Sequence, residues 1–131
     1  MPLNERSEKN LEGVHPDLVK VAHRAAEISE VEFIVIEGLR SMKRQRALVA
    51  AGASKTLKSR HLPHPSDGKS RAFDLVPVID GAIEWKTTAF ALPLEAIRKA
   101  SAELKIPVEL GADWKSFRDF PHIQLPWKEY P

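Results

Sequence analysis

The 131-residue chain has no cysteine, which excludes disulfides, thiolate metal sites and thiol catalysis together. Any metal it binds must be held by histidines and carboxylates. No apolar run approaches the ~20 residues needed to cross a bilayer, so stable membrane insertion is not expected. The opening residues MPLNERSEKN are polar and charged and lack the apolar stretch of a secretory signal. They predict a chain kept in the cytoplasm until something releases it. Internal repeats, low-complexity stretches and Gly/Ser linkers are also missing, and the length suits one domain over residues 1–131. Excess charge of either sign is scarce, with 20 Lys and Arg against 18 Asp and Glu and a net charge of +2. The pI near 9.0 fits nucleic acid, an anionic membrane or an acidic wall polymer, and charge alone does not choose among them.

What is present is the balance of a globular protein, 43% apolar and 29% charged. In VHPDLVKVAHRAAEIS, Leu18, Val21, Ala22, Ala25 and Ile28 recur at helical spacing behind Pro16 and Asp17, while Lys20 and Arg24 mark the wet face. EFIVIE reads as a buried strand closed by Gly38, and Ser41 as the N-cap of a helix running to Gly52. Residues 53–71, rich in Ser, Lys, Pro, His and Gly, read as a loop. RAFDLVPVI predicts a second strand, with Asp80-Gly81 turning it into a hairpin. TTAFALPLEAIRKASAEL is helical by period, through Leu94, Ile97, Ala100, Ala102 and Leu104, with Pro93 either kinking it or starting its main part. IPVEL and PHIQL supply two further apolar runs. Helices and strands do not alternate regularly, so the expected class is α+β, a single domain with a small antiparallel sheet flanked by helices.

Five histidines carry most of the chemical interest. His15 and His23 belong to the first helical segment, where a surface or interfacial role is the default. His61 and His64 lie in the loop before Asp74, and His122 follows Asp119 by three positions. Two histidines and one carboxylate suffice to ligate a catalytic zinc with a position left for water, and a remaining carboxylate is the natural base. Asp74 stands among Phe73, Leu75 and Val76, where an unpartnered carboxylate is expensive. A metal is one partner for it; an arginine or a turn is another.

SRHLPHPSDGKSRAFDLVP followed by GADWKSFRDFPHIQL resembles the zinc peptidases that include D-alanyl-D-alanine carboxypeptidases and the L-alanyl-D-glutamate endopeptidases of bacteriophage endolysins. Ser59-x-His61, Ala72-x-Asp74 and Asp119-x-x-His122 match the ordered motifs of that family. NLEGVHPDLV, EGLRSMKRQRALVAAGASKT and GADW extend the likeness to nearly the whole chain. The resemblance implies a fold of the Hedgehog/DD-peptidase kind, with Zn²⁺ held by His61, Asp74 and His122. It also implies Asp119 as general base, Arg40 as the cation that steadies the carbonyl oxygen, and Ser59, Gln45 and Trp114 at the substrate; Asp113 sits in a matching segment.

The 13 positions between His61 and Asp74 exceed the family's usual spacing, so LPHPSDGK reads as an insertion that covers the substrate channel. His64 is then a rival ligand, although His61 keeps the Ser-x-His spacing. The implied function is a peptidoglycan hydrolase acting on the L-alanyl-D-glutamate bond, a monomer held in the host cytoplasm before lysis. A D-alanyl-D-alanine carboxypeptidase or dipeptidase is the chemical alternative, and a non-catalytic zinc-containing binding module of the same fold the structural one. Dispersed Lys and Arg without a recognised motif argue against nucleic acid as a partner.

Overall fold

In a computed structural model, which describes residues 2–131, the polar N-terminal segment forms a helix, α1 (Glu5–Leu11). Asn4 caps it by accepting from the Ser7 amide at 2.8 Å. Its inner face is polar for a reason. Ser7 Oγ accepts from the Val35 amide at 2.8 Å and Asn10 Nδ2 donates to the Val35 carbonyl at 2.9 Å. Val35 lies on strand β1 (Phe33–Glu37), the outer strand of the sheet, so these side chains satisfy backbone groups that an open edge would expose.

Helix α2 (Pro16–Ile28) starts at the expected proline and is capped by His15, whose Nδ1 accepts from the Asp17 amide at 3.0 Å. Ser41 caps α3 (Met42–Ala50) as expected, and Gly52 follows with φ +77. Pro93 falls in the first turn of α4 (Ala91–Leu104), where its missing N–H costs no hydrogen bond, so it causes no kink. Helix α2 packs on α4, and Leu18, Val21, Ala25, Leu94, Ile97 and Ala100 are buried in the core, while Ala102 is exposed. Arg24 and Glu103 close the outside of the pair at 2.5 Å.

Strands β2 (Ala72–Ile79), β3 (Ala82–Ile83), β4 (Glu109–Leu110) and β5 (His122–Gln124) complete an antiparallel sheet ordered β1-β2-β5-β4, with β3 paired to β2 through the Asp80-Gly81 turn. Asp80 and Gly81 both have positive φ, 51 and 81, as a tight hairpin turn requires. Successive strand residues face opposite sides. Phe33, Val35, Phe73, Leu75, Leu110 and Ile123 are paired across the strands on the side that joins the buried core. The other side carries Asp74 opposite His122 and Gln124 opposite Glu109. A bulge between Val35 and Glu37 brings Glu37, rather than Ile36, across from Asp74. One side of a small sheet is thus hydrophobic, and the other holds a row of polar groups.

Candidate active site

Asp74 and His122 meet because they are cross-strand partners on that polar side. His61 reaches them from the loop before β2. Its amide donates to Ser59 Oγ at 3.1 Å, and its carbonyl accepts from the Arg40 amide at 2.8 Å. Asp74 Oδ1 lies 3.2 Å from His61 Nε2 and 3.4 Å from His122 Nδ1. One ligating atom from each of the three residues lies within 4.8 Å of the others.

The groups behind the rings fix which nitrogens point inward. His61 Nδ1 donates to the Gly38 carbonyl at 2.9 Å, and His122 Nε2 donates to Gln124 Oε1 at 2.8 Å. The inner nitrogens, Nε2 of His61 and Nδ1 of His122, therefore present lone pairs toward the Asp74 carboxylate. Three electron-rich atoms aimed at one point need a cation or proton among them, and two imidazoles with one carboxylate suit zinc.

A proton on a ring can serve as that cation, and the ion pairs it makes set the titration of the cluster. Burial would raise the Asp74 carboxyl, but the charges and hydrogen bonds of His61 and His122 outweigh it and hold the group well below the usual carboxylate range. Burial pulls the His122 ring down, and its contact with Asp74 more than reverses this. Asp119 moves the other way: burial between the cleft walls, then the nearby Asp74 charge, push it up.

The cluster lies on the floor of a cleft of about 870 Å³, whose lining includes Arg40, Ser59, Trp114, Phe117 and Asp119. Arg40 Nε donates to Glu37 at 2.6 Å and Nη1 to Gln45 Oε1 at 2.7 Å, leaving Nη2 4.0 Å from Asp74. Trp114 packs against the His122 ring at 5.2 Å. Asp119 is held by its backbone N–H, which donates to the Gly111 carbonyl at 3.1 Å.

Gln45 and the 62–69 segment stand apart from the cleft lining. Gln45, expected at the substrate, is 0% exposed. Its amide donates to Ser54 Oγ and the Thr56 carbonyl while its oxygen holds Arg40, so it steadies the arginine. The segment 62–69 does not cover the channel either, since none of its residues lines the cleft. Within it, His64 accepts from the Ser66 amide and donates from Nε2 to the Pro131 carbonyl at 2.8 Å. His64 thus lies outside the cluster that contains His61.

His15 packs edge-on against Tyr130, and His23 bonds Glu8 at 2.6 Å; both are interfacial. Asp113 pairs with Arg98 at 2.7 and 2.8 Å. Residues that the sequence did not single out also matter: Glu37, Gln124 and Glu109 back Arg40 and His122 directly or through one another. Gln124 was findable, being two positions after His122 and hence on the same strand face.

A family model described as phage L-alanyl-D-glutamate peptidase matches residues 1–125. The chain belongs to this family. It is 36% identical to the L-alanyl-D-glutamate peptidase of Escherichia phage T5 over 120 residues, 88% of this chain and 83% of that protein. It is 30% identical to the L-alanyl-D-glutamate peptidase of Listeria phage A118 over 105 residues, 80% of this chain but 34% of that longer protein. The crystal structure of Serratia marcescens L-Ala D-Glu endopeptidase ChiX superposes with a TM-score of 0.90 at 46% identity, covering 100% of this chain and 94% of that one. The family match stops short of residues 126–131, which fold back onto the segment containing His61. Buried Arg60 donates to the carbonyls of Leu125, Pro126 and Tyr130 and stacks on Trp127 at 4.0 Å.

Proposed function

We propose that the chain is a zinc peptidase that hydrolyses the L-alanyl-D-glutamate bond in the stem peptide of bacterial peptidoglycan. The observation that carries the reading is the convergence of His61, Asp74 and His122 below a cleft with Asp119 left over beside them, in a phage peptidase family chain. His61, Asp74 and His122 hold the metal. When bound, zinc polarises the scissile carbonyl and lowers the pKa of water to about 7.

The chain's own groups do the rest. Asp119 takes the proton from the attacking water and delivers it to the leaving amine; its upward shift suits a carboxyl that must hold that proton in between. Arg40 keeps one face for the substrate oxygen, because Glu37 and Gln45 occupy its other donors. Ser59 shapes the turn into His61, and Trp114 forms the wall over His122. The molecule acts as a monomer, held in the host cytoplasm until lysis, and its mildly basic surface favours a negatively charged envelope.

Zinc content and lytic rate, measured together, test this reading. Asp119→Ala should retain the metal and lose about 10²–10⁴-fold in rate, the contribution typical of a positioned acid or base. Full activity in that variant would refute the mechanism. His61→Ala should lose zinc and His64→Ala keep it; the reverse pattern overturns the ligand set.

A further inference from the structure

The polar side of the sheet continues past His122. Gln124 and Glu109 are cross-strand partners on β5 and β4, and both share the face that holds the cluster. Gln124 is 5% exposed and His122 6%, so their mutual orientation is set by the protein rather than by water. His122 Nε2 donates to Gln124 Oε1 at 2.8 Å, Gln124 Nε2 donates to Glu109 Oε2 at 3.4 Å, and Trp114 Nε1 donates to that same oxygen at 2.8 Å.

The direction of this chain follows from what each group can do. A carboxylate only accepts and an indole N–H only donates. An amide has two orientations, and only one places its oxygen on His122 and its NH₂ on Glu109. The reversed amide would set NH₂ against the N–H of His122 and its oxygen against a carboxylate. A histidine ring likewise has two neutral tautomers, and only the Nε2–H form leaves Nδ1 free to face Asp74.

We propose that Glu109 is a positioning residue: its carboxylate fixes the amide of Gln124, which fixes the tautomer and ring plane of His122, while its hold on Trp114 keeps the cleft wall packed on that ring. The inference rests on His122 being a metal ligand and assigns to Glu109 a role that no motif indicates. Neutral Glu109→Gln keeps the shape but loses the acceptor-only polarity, so it is the informative variant. Gln124→Leu cuts the chain one step closer to the ring.

The test uses the full chain and zinc itself. Zinc affinity, measured by chelator competition, should fall about 10–100-fold in each variant, the usual effect of removing a group that orients a ligand. The Glu109→Gln/Gln124→Leu double variant should bind within about twofold of the weaker single, because both lie on one path. Nitrogen-15 NMR of the metal-free protein should find neutral His122 as the Nε2–H tautomer in the wild type and as a mixture in Glu109→Gln.

Melting of the metal-free forms separates this from general loosening: zinc affinity that falls only in step with the melting temperature contradicts the proposal. Wild-type zinc binding with an unchanged tautomer in Glu109→Gln also overturns it, as do fully additive losses in the double variant. A wild type that takes up no zinc would contradict the metal reading itself. The tautomer measurement still judges the relay, which fails if Glu109→Gln keeps the Nε2–H form.

Discussion

Two glycines hold the reactive groups by leaving no room for a side chain. A Cβ on Gly111 would strike the backbone carbonyl oxygen of Asp119, and a Cβ on Gly38 would strike the Asn10 carbonyl and Val14. Gly38 also accepts from His61, and Gly111 from the Asp119 amide. Each alanine substitution should cost roughly 1–3 kcal/mol by overpacking, but the functional losses should differ. Gly111→Ala displaces Asp119, the proposed base, and is expected to lower the rate at least tenfold with zinc content intact. Gly38→Ala displaces His61 and is expected to lower zinc content first. Parallel metal analysis and rate measurement check this contrast, and identical profiles for the two would contradict it. At this scale the grouping of His61, Asp74 and His122, which could hold a metal ion, was legible through spaced motifs, whereas the burial of Gln45 was not. Its helix position is an ordinary polar one, and its burial comes from the 54–56 loop folding over it.

Among elements, α2, α3, β1, β2 and the hairpin could be read from periodicity, caps and a turn dipeptide because those signals are local. Helix α1 escaped for a physical reason: its buried face satisfies a strand edge with Ser7 and Asn10, so it lacks an apolar stripe. The bulge at Val35/Glu37 is equally silent in sequence, yet it brings a carboxylate to Arg40 where unbroken register would bring Ile36. The partners of Arg60 could not be read either, because they lie 65 to 70 positions away in the sequence. Arg60 joins the 60–71 segment to the tail through three backbone carbonyls. Removing it leaves the Leu125 carbonyl, whose bond to Arg60 is buried, without that donor, at a cost of about 1–3 kcal/mol. Arg60→Ala should therefore lower the melting temperature and loosen zinc together, and an unchanged melting temperature would refute the clasp.

For the molecule as a whole, Tyr130 links the tail to α2, donating to Asp17 Oδ2 at 2.8 Å. Burial, then the hydrogen bond to Asp17, pushes its phenol up to about 12. Since this folded value lies above the unfolded value of about 10, the contribution is fully present below pH 10 and is lost as pH rises toward 12. Urea unfolding of wild type and Tyr130→Phe across that window should give curves that converge at the alkaline end; a constant gap would contradict the assignment. The lack of cysteine first limited the metal ligands to histidines and carboxylates, and the fold brings two histidines and an aspartate together on one side of a small sheet. Identifying the termini released when the zinc-loaded protein digests purified peptidoglycan tests the central claim most directly. The account predicts new amino termini on D-glutamate and carboxyl termini on L-alanine, and release of D-alanine alone would contradict it.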